Sequence, residues 1–139
     1  MPNGEIVTVT NTPFDFTSFK QIGKDAGEPN EQLKLSAGYD HSFVLEKQHT
    51  NSLKHAATVK HTSGTCLNVY TTEPAVHFYA GNFLDGIKGK NGIKYQKHAG
   101  FCLETQHFPD SPNKPHFPTT QLDPGENFYS KTVFKFSAE

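Results

Sequence analysis

Glu104 lies inside a short alternating run, GFCLETQ, Gly100 to Gln106. In a strand, period-two alternation sends Phe101, Leu103 and Thr105 to one face and Cys102, Glu104 and Gln106 to the other. A carboxylate near the end of a mostly apolar strand, just ahead of an aromatic and proline-bound loop, can point toward a cleft. Desolvation there would raise its pKa and suit it to general acid–base work. The same pattern also fits a surface strand with an outward glutamate, and alternation alone favours that plainer reading.

A second carboxylate, Asp40, sits in GYDHSFVL, Gly38 to Leu45. Alternation places it opposite Tyr39 and His41, where, ionised, it would accept hydrogen bonds from ligand hydroxyls. A plain turn or strand-start aspartate is equally open. The histidines at 41, 49, 55, 61, 77, 98, 107 and 116 are scattered, with no HxH or HExxH pair. Distant strands can still assemble a metal site, so a metal-dependent β-sandwich enzyme stays open on the residues alone. No GxSxG elbow is present, and neither Cys66 nor Cys102 has an assignable catalytic partner, which leaves nucleophilic catalysis without support.

The elements that must hold these residues read as short strands. Ile6–Val9, Phe43–Leu45, Ala57–Lys60, Cys66–Tyr70, Val76–Tyr79, Gly100–Gln106 and Thr132–Phe136 are rich in Val, Phe, Tyr and Thr, with Gly, Pro, Asn and Asp between them. A turn or two of helix fits within Gly27–Leu35, ended by Ala37-Gly38. Asp85-Gly86 and Asn91-Gly92 mark turns. Pro109 to Pro124 holds five of the nine prolines, so it must run over the surface rather than join a ladder. Its Phe and His content predicts a packed loop rather than a disordered one. The class expected is all-β, a sandwich of antiparallel sheets.

Bulk properties narrow the function classes. The chain has 139 residues, 34% hydrophobic and 12% aromatic, enough for one domain spanning 1–139. A formal charge of -1 gives no electrostatic reason to expect nucleic acid or an anionic membrane as partner. No apolar stretch approaches the ~18 residues of a membrane span. With its polar N-terminus the chain reads as soluble and cytoplasmic. Two cysteines lack zinc spacing and are too few for a disulfide scaffold; both are expected reduced and buried.

Five blocks, in order, resemble the aldose 1-epimerase (mutarotase) family. They are NGEIVTVTNTPFDF (Asn3 to Phe16), GYDHSFVL, TTEPAVHFYAGNFLDG (Thr71 to Gly86), GFCLETQHFPDSPNKPHFP (Gly100 to Pro118) and LDPGENFYSKTVFKF (Leu122 to Phe136). The resemblance implies part of a sugar-binding supersandwich of antiparallel strands, and interconversion of the α and β anomers of a free hexose such as galactose or glucose. It implies no metal and no cofactor. Glu104 matches the family's general base and Asp40 its hydroxyl-binding aspartate. His77 stands where many members carry a substrate-contacting glutamine, and Ser42 replaces the usual asparagine after Asp-His.

The family's chain is more than twice this long. Its catalytic histidine and a contact arginine belong to its N-terminal half, and this chain contains no arginine. The expectation is therefore a C-terminal portion carrying the base without its usual acid. It would act with a complementing N-terminal half or associate with itself through open strand edges. A non-catalytic carbohydrate-binding β-sandwich is the alternative.

Overall fold

The computed structural model describes residues 3–45 and 52–138. His49 lies outside them. Among the described residues the chain is built mostly of short antiparallel strands, with one short helix. The strands are β1 (Asp40–Val44), β2 (Lys54–Lys60), β3 (Thr65–Thr71), β4 (Ala75–Tyr79), β5 (Ile87–Lys88), β6 (Lys94–Tyr95), β7 (Cys102–Gln106) and β8 (Thr132–Ala138). They form two three-stranded sheets, ordered β1-β4-β7 and β2-β3-β8, and the small β5-β6 hairpin. This is the antiparallel, helix-poor class expected from composition and alternation.

The chain divides into two compact units. Among the described residues, the first contains 42–45, 52–77 and 104–138. β3 is central in its own sheet because its residues pack on both faces: Cys66 and Val69 are buried, and so is Thr71 at its end. β2 pairs antiparallel to β3 through Ala57↔Val69 and Val59↔Leu67, with a register shift between His55 and Ala57. β8 takes the other side of β3 through Val69↔Phe134 and Leu67↔Phe136. Alternation puts Phe134 and Phe136 on one face of β8, and both are exposed, at 50% and 71%.

The second unit, Asn3–His41 and Phe78–Leu103, is organised by rings. Tyr39 is fully buried, stacked on Phe78 at 5.5 Å and met edge-on by Phe14 and Phe16. Its hydroxyl donates to the carbonyl of Pro13 at 2.9 Å, which removes the cost of burying a phenol. Burial first, then the carboxylates of Asp25 and Glu28, push the Tyr39 pKa up to about 12.

The expected helix is α1, Glu31–Leu35, with the Asn30 side chain accepting from the N–H groups of Gln32 and Leu33. It stops where predicted. Ala37 takes φ 56°, and the Gly38 N–H reaches back to the Leu33 carbonyl at 2.9 Å, a Schellman ending that satisfies a terminal carbonyl. Gly38 itself has φ +139°, and a Cβ there would strike the Asn82 side chain. Only glycine fits that position.

Three expectations need correction. Ile6–Val9 forms no strand; Ile6 and Val7 are exposed at 56% and 68%. A β-prone sequence stays irregular when no neighbouring strand takes up its hydrogen bonds. The β5-β6 hairpin was not among the expected strands, although its Asn91-Gly92 turn was, with φ 55° and 75°. Both cysteines are free as expected, but only Cys66 is buried and Cys102 is exposed. The proline-rich segment forms no strand; it holds a short 3₁₀ helix at Ser111–Asn113 and hydrogen-bonded turns that close through Phe117 N–H to the Lys114 carbonyl and Glu126 N–H to the Asp123 carbonyl. Part of it packs, through Phe117 against Phe108 at 5.0 Å, while Leu122 remains exposed, as do Phe128 and Tyr129 just beyond it.

Candidate active site

Glu104 occupies the middle of β7 and is exposed. Its direction follows from its neighbours. Thr105 Oγ1 lies 2.6 Å from Thr132 Oγ1, and Thr132 Oγ1 is 3.0 Å from that of the buried Thr71. With Thr105 turned to the threonines, alternation turns Glu104 the other way.

Two residues after Thr105, His107 Nδ1 is 2.9 Å from Glu73 Oε2, and the Glu73 side chain is only 7% exposed. The strand is thus tied down on one face at Thr105 and His107, while its other face presents the carboxylate. The Glu104 side chain makes no hydrogen bond or ion pair among the described residues. The desolvated cleft expected around Glu104 is not supplied by its own strand, where it stands open to solvent.

His77 lies in β4, half-buried, in the same unit as Glu104 and on a strand adjoining β7. Its Nδ1 is 2.8 Å from Ser42 Oγ on β1. Asp40 begins β1, is half-buried, and belongs to the other unit. Its backbone N–H donates to His41 Nδ1 at 2.9 Å. Phe14 meets both Tyr39 and His41 edge-on, at 5.7 and 4.6 Å, so those two rings share a face and Asp40 takes the opposite one, as alternation requires.

The residues that sequence reasoning missed are the supports. Glu73 and the threonines at 71, 105 and 132 receive no role from the sequence, and Glu73, Thr71 and Thr132 lie far from Thr105 along the chain. Polar character at or beside strand ends was their only signal. Among the described residues no group of three or more His, Cys, Asp or Glu side chains is arranged to hold a metal ion. A cavity of about 570 Å³ lies in the second unit, lined among others by Tyr39, Ala80, His98 and Phe101. It contains none of the three candidate residues. No helix among the described residues is long and apolar enough to cross a membrane.

Comparison with known proteins agrees with this architecture. The family model described as aldose 1-epimerase matches residues 1–135. Galactose mutarotase of Bos taurus is 48% identical over an alignment of 142 positions that covers 99% of this chain and 39% of that protein. Aldose 1-epimerase of Escherichia coli K12 is 37% identical, covering all of this chain and 40% of its own length. The crystal structure of a GalM/aldose epimerase homologue from C. elegans superposes with a TM-score of 0.78 at 35% identity, over 99% of this chain and 40% of that one. The chain spans about two fifths of the length of these relatives. On sequence and fold together, the chain belongs to the aldose 1-epimerase family.

Proposed function

We propose that residues 1–139 are the base-bearing C-terminal part of a mutarotase-like sugar-binding domain that interconverts the α and β anomers of a hexose such as galactose or glucose. Glu104 is the general base and takes the proton from the anomeric hydroxyl. Asp40 and His77 hold sugar hydroxyls, the carboxylate as acceptor and the imidazole through one ring nitrogen. A histidine outside this chain protonates the ring oxygen. The C1–O5 bond then breaks, the aldehyde forms, and rotation about C1–C2 exposes its other face. Closure returns the protons. The cycle is redox-neutral and gains or loses no atom, so paired proton transfer is all the protein has to provide. A cytoplasmic location belongs to the same reading.

The observation that carries this is the open Glu104 carboxylate on a strand anchored at Thr105 and His107, in a chain that belongs to the family. The acid is the part still to be supplied, and a complementing polypeptide is proposed to bring it.

Polarimetry on freshly dissolved α-galactose or α-glucose tests the proposal, with the chain alone and with the remaining portion of the bovine relative supplied in trans. Activity above the spontaneous rate that falls by about 10²–10⁴-fold in Glu104→Gln supports the role of base. Sugar binding by calorimetry without any acceleration in either arm would instead mark a non-catalytic carbohydrate-binding domain.

A further inference from the structure

Asn82 lies just beyond the end of β4 and is only 4% exposed. Its Nδ2 donates twice, to the Ser36 carbonyl and to the Tyr39 carbonyl, each at 2.9 Å. Carbonyl oxygens only accept, so both bonds run from the asparagine and the orientation of its amide is set. Its Oδ1 is buried and meets no hydrogen-bond partner among the described residues. A stranded acceptor of this kind is unfavourable; the side chain acts through its two N–H groups instead. The same oxygen fills the space that a Cβ on Gly38 would need, so the amide is packed against the backbone it binds.

The second of those carbonyls belongs to the peptide unit that joins Tyr39 to Asp40, the first residue of β1. Its oxygen also accepts from the Ala80 N–H at 2.9 Å. On the other side of that unit, the Asp40 N–H donates to His41 Nδ1 at 2.9 Å. A peptide unit is planar, so bonds to its oxygen and to its N–H hold one rigid plate. That plate ends at the Asp40 Cα and is the base from which the carboxylate is aimed. Ser36, Tyr39, Asp40, His41, Ala80 and Asn82 all lie in the second unit.

We propose that Asn82 is a positioning residue for Asp40: by donating to the Tyr39 carbonyl it fixes the Tyr39–Asp40 peptide plane, and with it the direction from which the carboxylate meets a sugar hydroxyl. The inference rests on the reading of Asp40 as a sugar contact. Asn82 is buried and acts through the backbone alone.

Two measurements test this, and each can overturn it. The first is calorimetry with D-galactose, with the complementing polypeptide present. Asn82→Ser keeps a hydroxyl too short to reach both carbonyls and should weaken binding by about 3–10-fold, the scale of one modest hydrogen bond. That loss should vanish in the Asp40→Ala background, which is the coupling a positioning role demands. A merely structural asparagine would lower affinity equally in both backgrounds, and that result overturns the proposal. The second measurement needs no variant: hydrogen exchange of the Asn82 side-chain amide in the full chain without sugar, followed by NMR. The expected exchange is far slower than at the exposed Asn3, because a clamp set in advance of ligand is closed in the free protein. Exchange as fast as that of Asn3 overturns the proposal even if Asn82→Ser fails to fold. Absence of sugar binding by the wild type overturns the hexose reading of Asp40, and slow exchange beside it would show the clamp standing without that role.

Discussion

His107 Nδ1 lies 2.9 Å from Glu73 Oε2 and joins the end of β7, three residues beyond Glu104, to the turn between β3 and β4. Glu73 is buried, and its backbone N–H is taken by Thr71 Oγ1 at 3.1 Å. A buried carboxylate is tolerated when it is partnered, and here the His107 ring meets it. Removing that ring leaves an uncompensated acceptor rather than merely a missing contact.

His107→Ala should therefore cost about 1–3 kcal/mol of stability, the penalty for stranding a buried polar group. Glu73→Gln keeps an oxygen to accept from His107 and should cost less. Urea denaturation of the three proteins measures the difference. Equal midpoints for His107→Ala and the wild type would show that the pair holds nothing in place.

Alkaline pH should expose the burial of Tyr39. Its pKa, pushed up to about 12 in the folded chain, lies above the ordinary value of about 10 that the unfolded chain takes. The protonated phenol is thus favoured by folding. Its contribution is complete below about pH 10 and declines as the unfolded phenol ionises. It is gone once pH passes the folded value of about 12. Tyr39→Phe has nothing there to titrate, so its stability should fall less steeply between about pH 10 and 12. Denaturation curves that stay parallel across that window would contradict the assignment.

Asp40 and Glu104 should respond differently to neutralisation. Asp40→Asn removes a carboxylate acceptor but keeps an amide oxygen. Where the chain is active with its complement, sugar affinity should weaken, on the order of 10-fold for a hydrogen bond between charged and neutral groups. The rate at saturating sugar should change less than in Glu104→Gln, because a base acts mainly in the transition state. Affinity by calorimetry beside initial mutarotation rate separates the two roles. A rate loss in Asp40→Asn as deep as that of Glu104→Gln, with binding intact, would assign Asp40 to proton transfer instead.

β8 should govern association. In its sheet it is bonded to β3 and is the last strand in the order, with Phe134 and Phe136 exposed. An exposed apolar edge strand is a template for another strand. The chain alone is expected to form dimers or larger species at high micromolar concentration, and Phe134→Lys with Phe136→Lys should return it to a monomer. Light scattering decides this; a wild-type monomer under those conditions would remove β8 as a contact.

Local geometry explains what was legible in the sequence. The end of α1 at Ala37-Gly38, the Asn91-Gly92 turn, the shared face of Tyr39 and His41, and the opposite facing of Glu104 and Thr105 all depend on a few consecutive dihedral angles. Residue type and alternation specify those angles directly. Five ordered blocks added the family, because their spacing reflects the whole chain rather than one segment. Tertiary structure alone decided that Ile6–Val9 stays irregular, that Ser42 meets His77, and that Thr105 meets Thr132. It also set His107 against Glu73 and left Glu104 exposed. Each of these depends on which strand lies beside which, and period two is silent on that choice: a run that can form a strand carries no record of its partner until backbone hydrogen bonding and burial select one.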